Sequence, residues 1–338
     1  MTRTYRLATT QPVKGWPGKR KYDPYDERFE PASVGEWVES STALQLKLFE
    51  EAGRNGADLV VGTEGMRGLT NYAVYLRDRS IFRKHLETIP GPTSRRIGAI
   101  SKRYRMYIVA CYYEKVGPRC YNTAVLFGRN GRIMGKYRKH QLTTNERWFC
   151  TPGNSFPVFK TEMGNIGIAI CYDMQFPEII RCLTLSGADI ICFPTGGYGR
   201  TEDIGDSCMK TRCVDYGVYL ILSHFKRSQI VTPWGDVLAD AGHRANVVAY
   251  ADVDTSAGQL IEPNNYWTIV TGTSDYRERL VKERRPELYK LITQKNPAVL
   301  KRYKRKGLAE KPEEVKEIFE KIEKDKQGIA RGLAKKYV

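Results

Sequence analysis

Short apolar runs alternate with segments of helical periodicity along most of the 338 residues. Runs such as ADLVVG (57–62) and NIGIAI (165–170) have the length of buried strands, whereas residues 34–53 repeat their apolar positions with helical spacing. The pattern predicts strands at 5–11, 57–62, 106–113, 121–127, 132–137, 165–170, 189–193, 218–223, 229–232 and 247–252, and helices at 34–53, 93–103, 177–186 and 206–216. Strands and helices mixed in this way predict an α/β (α+β) domain with buried sheets.

Two segments depart from this alternation. Residues 13–31 are rich in Pro, Gly, Lys and Asp, which indicates a long loop, and Trp16, Tyr22 and Tyr25 make that loop a candidate lid over a binding site. The tail beyond about Lys311 mixes Glu and Lys at helical spacing, which predicts a solvated helix. We therefore predict one domain over residues 1–290 and a basic, charged, helical C-terminal arm over residues 291–338.

Composition narrows the class of protein. Hydrophobic residues make up 41% of the chain and charged residues 28%, which excludes a disordered or fibrous chain. No apolar stretch approaches the roughly 18 residues that a membrane span requires. The start, Met1 to Gln11, has no apolar signal core. We expect a soluble, cytoplasmic protein with no membrane partner.

The distribution of charge and the spacing of the cysteines exclude further classes of protein. The formal net charge is +17, and much of it lies in KERR (282–285) and KRYKRK (301–306). No nucleic-acid-binding motif accompanies these runs, so we interpret them as a basic surface and expect no nucleic-acid partner. The eight cysteines form no CxxC pair, and no His stands at zinc-finger spacing from them. We expect neither a metal site nor a disulfide framework.

One cysteine stands in a distinctive segment, NIGIAICYDMQFPE (165–178). The apolar strand runs directly into Cys171, and Pro177 then occupies the favoured first position of a helix. A strand-to-helix elbow of this kind exposes the nucleophile of serine hydrolases. We expect a nearby helix N-terminus and a lysine to favour the thiolate of Cys171. A buried structural cysteine at a strand end would give the same local pattern.

Two further segments carry the groups that a cysteine nucleophile needs. Glu64 follows a short buried strand in DLVVGTEGMRGLT (58–70), and Lys139 and Glu146 stand in the polar segment GKYRKHQLTTNERWFCTPG (135–153). Taken singly, these could be a turn carboxylate and an ordinary surface loop. Together they supply a carboxylate that moves protons and a cation that stabilises an oxyanion during amide hydrolysis. This chemistry requires no metal or other cofactor.

The three segments, in this order and spacing, resemble the nitrilase superfamily of carbon–nitrogen hydrolases. The resemblance rests on the Glu after the strand at Glu64, on GKYRK ending at Lys139 and on ICYDMQFPE around Cys171. GADIICFPTG (187–196) and IVTPWGDVLADAG (230–242) are also similar to family segments, so that the likeness covers roughly residues 6–254.

The resemblance implies a four-layer αββα sandwich. It also implies a homodimer or a multiple of dimers, with the C-terminal arm involved in oligomer contacts. Residue by residue, it makes Glu64 the general base, Lys139 the oxyanion-stabilising cation and Cys171 the nucleophile. Glu146 matches a second glutamate that orients the lysine and the substrate.

Departures from the family pattern bear on the substrate. Tyr172-Asp173 stands where true nitrilases have Trp-Glu, which favours amide or carbamoyl substrates over nitriles. Gln175 stands where many amidases have Arg, which favours a neutral substrate because a bidentate partner for a carboxylate is missing. We take Tyr172, Gln175 and Tyr198 as substrate-binding or oxyanion residues. Ser223-His224 replaces the usual Ala-Asn, and the sequence does not explain this change.

The function that follows is hydrolysis of a non-peptide C–N bond in a small amide or N-carbamoyl compound. The reaction would pass through a cysteine acyl-thioester and release ammonia. Two alternatives remain open at this point. The same residues could hydrolyse a nitrile, or the chain could be a non-catalytic binding protein on the same fold with an acidic partner.

Overall fold

The computed structural model describes residues 4–13, 20–23, 28–70, 72, 79–143, 146–197, 202–255, 266–295 and 297–299. The chain forms two compact units, Met1–Lys282 and Glu283–Val338. The described part of the second unit contains an exposed 3-10 helix at Pro286–Thr293. The predicted domain boundary at residue 290 stays a prediction, and the predicted helix beyond Lys311 lies outside the described residues.

The first unit has twelve strands and seven α-helices in its described part. The strands are β1 (Tyr5–Gln11), β2 (Leu59–Val61), β3 (Tyr107–Val116), β4 (Arg119–Phe127), β5 (Ile133–Arg138), β6 (Val158–Phe159), β7 (Ile166–Ile168), β8 (Ile190–Pro194), β9 (Tyr219–Ser223), β10 (Gln229–Val231), β11 (Val237–Asp240) and β12 (Val247–Val253). The helices are α1 (Val34–Arg54), α2 (Arg79–Lys84), α3 (Pro92–Tyr104), α4 (Pro177–Leu185), α5 (Glu202–Tyr216), α6 (Tyr266–Thr271) and α7 (Tyr276–Lys282). None of the helices in the described ranges is long and apolar enough to cross a membrane.

The strands form two six-stranded sheets, in the orders β12-β1-β2-β3-β4-β5 and β11-β10-β9-β8-β7-β6. The centre of each sheet is parallel, because α1 and α3 connect β1, β2 and β3, and α4 and α5 connect β7, β8 and β9. Antiparallel strands complete both edges. Since parallel strands end on the same side of a sheet, the segments after β2, β7 and β8 are available to a common site.

Alternation along the strands divides the core into layers. Leu59 and Val61 of β2 pack between the sheets with Ile190 and Cys192 of β8, whereas the intervening Val60 points to the opposite face. Every such buried aliphatic side chain contributes about 1.5–3 kcal/mol relative to exposure. The space between the sheets is therefore an apolar core, and we expect a polar site at its edge.

Helices cover the outer face of each sheet. On the first sheet, α1 and α3 pack over β2 and β3 through Leu46, Phe49, Ile97, Ile100, Val60 and Ile108. On the second sheet, α4 and α5 pack over β8 and β9 through Ile179, Leu183, Met209, Cys213, Ile191 and Leu220. This arrangement confirms the predicted four-layer αββα sandwich.

Sequence periodicity found the long elements and missed four short ones. The hairpin at 230–242 is present as β10 and β11, which pair antiparallel. Helices α2, α6 and α7 and strand β6 were not predicted, because these segments are too short to show a period. A 3-10 turn at Cys171–Gln175 also separates β7 from α4, where a direct elbow was expected.

The candidate lid is described only in part. Trp16 and Tyr25 lie outside the described residues. Tyr22 is buried, donates from its hydroxyl to Glu36 Oε2 at 2.9 Å and packs its ring 5.7 Å from that of Trp37. The carbonyl of Tyr22 also accepts a hydrogen bond from the Tyr72 hydroxyl at 2.8 Å. Tyr22 is thus an anchor on α1, and the lid itself stays a prediction.

Candidate active site

Cys171 lies at a sharp turn after a buried strand. Ile170 is fully buried, and Cys171 opens the 3-10 turn with a φ of +47°. A non-glycine residue in this region costs of the order of 1–3 kcal/mol and persists only where the surroundings impose it. The Asp173 carboxylate contributes to that constraint, because its Oδ2 accepts a hydrogen bond from the Ile170 N–H at 2.9 Å.

A buried cluster of opposite charges lies beside this turn. Lys139 Nζ lies 2.9 Å from Glu64 Oε1 and 2.8 Å from Glu146 Oε2. All three side chains are buried. Two carboxylates and one ammonium leave a formal charge of −1 at the cluster, so the lysine is fully compensated. The structure thus brings together Glu64, Lys139 and Glu146, which are predicted as site residues from separate segments.

Strand ends and one short turn place these groups. Glu64 lies three residues beyond β2, and Lys139 follows β5 directly. Glu146 opens a 3-10 turn at Glu146–Trp148 and accepts from the Thr143 N–H at 3.0 Å. Glu64 Oε2 accepts from the Gly196 N–H at 2.7 Å, which ties the first sheet to the segment that follows β8.

The thiol of Cys171 faces that same segment. Its Sγ donates to the carbonyl of Gly197 at 3.6 Å, and the Thr195 hydroxyl donates to the same carbonyl at 3.0 Å. The Thr63 hydroxyl in turn donates to the Thr195 carbonyl at 3.0 Å. Cys171 and Glu64 therefore contact one short backbone stretch, Thr195 to Gly197, from opposite sheets.

The electrostatic surroundings favour the charged forms of Lys139 and Glu146. Burial alone would lower the pKa of Lys139, but the neighbouring carboxylates of Glu64 and Glu146 outweigh it and hold the pKa well above its ordinary value. Burial would raise the pKa of Glu146, but Lys139 and the Thr143 N–H outweigh it and lower the pKa. Lys139 is therefore a permanent cation over the working pH range.

The pKa of the Cys171 thiol departs from the sequence-based prediction. Burial, followed by the charge of Glu64, raises the pKa of Cys171 to about 12. Lys139 acts in the other direction, but two carboxylates already compensate it. The prediction of a stabilised thiolate is thus wrong, because these surroundings favour the protonated thiol.

The structure describes two of the three residues that were predicted to bind the substrate or the oxyanion. Tyr172 is half-buried, and its ring meets Phe176 edge to face at 5.4 Å. Gln175 is half-buried at the end of the 3-10 turn. Tyr198 lies outside the described residues. The structure therefore places Tyr172 and Gln175 on the turn of Cys171.

The unusual Ser223-His224 pair has a structural explanation. The Ser223 hydroxyl donates to the Thr10 carbonyl at 2.7 Å, joining the two sheets. His224 is buried, and its Nδ1 accepts from the backbone N–H groups of Lys226 and Arg227 at 3.2 and 3.4 Å. The pair shapes the turn between β9 and β10.

Two buried polar residues next to the site were not predicted as site residues from the sequence. Asn122 of β4 donates from Nδ2 to both Glu64 Oε1 and Glu146 Oε1 at 2.8 Å. Asp173 accepts from the Gln141 N–H and the Tyr137 hydroxyl at 2.8 Å each. Burial raises the pKa of Asp173 to about 6. The sequence signal for Asn122 is an amide side chain within the largely apolar strand RCYNTAVLF (119–127).

Within the described residues, no group of three or more His, Cys, Asp or Glu side chains could hold a metal ion. What the described arrangement offers is a thiol, a carboxylate, a compensated ammonium and backbone N–H groups. These are the parts that nucleophilic attack on a carbonyl or nitrile carbon needs.

Comparison with known proteins agrees with this chemistry. The family model for Carbon-nitrogen hydrolase matches residues 36–262. The chain is similar to Omega-amidase NIT2 of Homo sapiens, with 30% identity over 196 residues that cover 51% of this chain and 70% of the relative. It is also similar to a nitrilase of Pyrococcus abyssi, with 33% identity over 219 residues that cover 62% of this chain and 81% of the relative.

Among solved structures, the fold is similar to that of an amidase from Nesterenkonia sp.. The TM-score is 0.62 at 20% sequence identity, and the match covers 84% of this chain and 95% of that chain. Another structure of an amidase from this genus shows acrylamide added to its active site cysteine.

Proposed function

The chain belongs to the carbon–nitrogen hydrolase family, and we propose that it hydrolyses a small amide or N-carbamoyl compound through a thioester on Cys171. The observation that carries this proposal is the buried Glu64–Lys139–Glu146 cluster at the backbone stretch that Cys171 also contacts. A scaffold has no physical need for two carboxylates and an ammonium buried beside a strained cysteine, since burying charge is costly.

The first half-reaction forms the thioester. The Cys171 sulfur attacks the carbonyl carbon while its proton moves to Glu64, because a thiol with a pKa of about 12 does not ionise beforehand. The carbonyl electron pair moves onto oxygen, where the Lys139 ammonium and the Tyr172 backbone N–H stabilise it. The C–N bond then breaks, and ammonia leaves with the proton that Glu64 returns.

The second half-reaction releases the product. Glu64 takes a proton from water, which attacks the thioester carbon and forms a second tetrahedral intermediate. The C–S bond breaks, the acid leaves, and Glu64 returns its proton to the sulfur. Glu146 holds Lys139 in place through both steps with its 2.8 Å ion pair.

One feature favours an amide or carbamoyl substrate over a nitrile: Tyr172-Asp173 departs from the Trp-Glu of true nitrilases. Gln175 separately favours a neutral substrate, because it offers no cation for a substrate carboxylate. The relatives include both an omega-amidase and a nitrilase, so nitrile hydrolysis by the same four residues is the second candidate.

The test is ammonia release from short amides, N-carbamoyl amino acids, N-carbamoyl amines and nitriles, with intact mass measured during turnover. Wild type should release ammonia and carry an acyl or carbamoyl adduct. Cys171→Ala should release none, Glu64→Gln should lose about 10²–10⁴-fold in kcat, and Lys139→Ala about 10²–10³-fold. Ammonia release by folded Cys171→Ala at the wild-type rate would overturn the mechanism, and turnover of nitriles alone would favour the second candidate.

A further inference from the structure

Asn122 lies between the two carboxylates of the site. Its Nδ2 is 2.8 Å from Glu64 Oε1 and 2.8 Å from Glu146 Oε1, and its side chain is buried. Its Oδ1 accepts a hydrogen bond from Cys111 Sγ at 3.4 Å. Carboxylates only accept hydrogen bonds, so the nitrogen must face them and the orientation of the amide is defined.

The hydrogen bonds of Glu64 distinguish its two oxygens. Oε1 accepts from both Lys139 and Asn122, whereas Oε2 accepts from the Gly196 N–H. An ionised carboxylate has about four lone-pair sites, two on each oxygen. Oε1 is therefore saturated, and the remaining site is on Oε2, the oxygen bonded to the stretch that Cys171 contacts.

We propose that Asn122 is a positioning residue that saturates Oε1 of Glu64 together with Lys139, so that proton transfer with Cys171 takes place at Oε2. This inference rests on the proposed function, because it specifies which oxygen of the proposed base, Glu64, exchanges the proton.

The neutrality of Asn122 is part of this role. A second cation at its position would cancel the remaining negative charge of the cluster and weaken Glu64 as a base, whereas a third carboxylate would repel the two already present. An amide donor binds both anions without adding charge. Consistently, Asn122 is among the groups that lower the pKa of Glu146, after Lys139 and Thr143 and against the effect of burial.

The neighbouring residue provides a matched control. Thr123 follows Asn122 on β4, points to the opposite face of the sheet and is fully buried. Its hydroxyl donates to Glu114 Oε2 at 3.0 Å, away from the site. Thr123→Val therefore removes one buried hydrogen bond from the same strand without touching Glu64 or Glu146.

The experiment compares wild type, Asn122→Leu, Asn122→Asp and Thr123→Val in two assays. The first is alkylation of Cys171 by iodoacetamide, followed by intact mass across pH. In that reaction an S–C bond forms, the C–I bond breaks, iodide leaves and the thiol proton passes to Glu64, so no substrate needs to be known. The second assay is kcat and KM for ammonia release. Far-ultraviolet circular dichroism and thermal melts check that all variants are folded.

Asn122→Leu should slow alkylation and kcat by about tenfold or more and move the acidic limb of both pH profiles to higher pH, since the carboxylate loses a donor that favours its ionised form. Asn122→Asp should lose more of the alkylation rate and of kcat than Asn122→Leu does. Thr123→Val should keep the wild-type rates and pH profiles. Folded Asn122→Leu with wild-type rates and limbs would overturn the inference. If the alkylation difference persists while wild type releases no ammonia, the inference stands and the proposed function fails.

Discussion

Gly196 shows how closely single residues are fitted around Glu64. A Cβ built on Gly196 would lie 2.9 Å from Glu64 Oε2, closer than real Cβ atoms approach a neighbour. Glu64 cannot move aside freely, because Lys139 and Asn122 hold its other oxygen. At the scale of one residue, the Glu64 carboxylate is therefore positioned by the small size of Gly196 as well as by hydrogen bonds.

This fit predicts the effect of Gly196→Ala. The added methyl group should displace the Glu64 carboxylate and reduce kcat about 10²-fold, as expected when a general base is misplaced. Steady-state kinetics on the substrate found by ammonia release would measure the loss. Gly197→Ala is the control for thermal stability, because a Cβ there meets no atom within 4 Å. Unchanged kcat in Gly196→Ala would show that Glu64 is less constrained than its contacts indicate.

At the scale of elements, one carboxylate joins the turn of Cys171 to the segment of Lys139. Asp173 belongs to the 3-10 turn and accepts from the Ile170 N–H, the Gln141 N–H and the Tyr137 hydroxyl. Gln141 stands two residues after Lys139, and Tyr137 belongs to β5. The turn of Cys171 and the segment of Lys139 are thus held in register by one buried side chain.

Asp173→Asn should weaken this connection, because the amide replaces one acceptor oxygen with a donor. At least one of the three donors then loses its partner, at a cost of about 1–3 kcal/mol in the free energy of unfolding. We expect kcat to fall with stability, as urea titration and steady-state kinetics would show. Tyr137→Phe keeps both backbone donors satisfied and should retain more activity. Equal kcat in Asp173→Asn and wild type would contradict the connection.

At the scale of the whole molecule, two sheets with covered outer faces leave the site at the edge of their shared core. The site residues come from both sheets, and the first sheet is itself joined across its strands by Glu114. Glu114 is buried on β3 and accepts from Lys136 at 2.5 Å and from Arg138 at 2.9 Å, both on β5. The predicted dimer and the role of the C-terminal arm stay predictions.

The pH dependence of stability should reflect Glu114. Burial would raise its pKa, but Arg138 and Lys136 outweigh this effect and lower the pKa. A lowered pKa stabilises the fold above the unfolded value, about 4.5, and the contribution is lost as pH falls through the folded value. The free energy of unfolding of Glu114→Gln should therefore be about 1–3 kcal/mol lower than that of wild type at pH 7. This difference should narrow below about pH 4.

Urea unfolding at both pH values would test this expectation. The matched control is Glu39→Gln, which removes an exposed ion pair with Arg96 and should change stability by less than about 1 kcal/mol. A pH-independent difference for Glu114→Gln would contradict the assignment.

The sequence by itself determined the order of the long elements and singled out the candidate residues Glu64, Lys139, Glu146 and Cys171. Apolar periodicity is a local property, so it located the long strands and helices, and strand ends such as those before Glu64 and Cys171 located the candidate chemistry. The resemblance carried by Glu64, Lys139 and Cys171 then predicted the four layers. Segments as short as α2 and β6 contain too little periodic signal to be found in this way.

Only the tertiary structure decided the contacts and the electrostatics of the site. Asn122 and Gly196 meet Glu64 across strands and sheets, and Asp173 joins the turn of Cys171 to the segment of Lys139. No local pattern encodes such contacts. The pKa of Cys171 was predicted in the wrong direction because a sequence shows that a lysine exists but not that two carboxylates compensate it. Burial and the sum of all nearby charges set a pKa, and both exist only once the chain has folded.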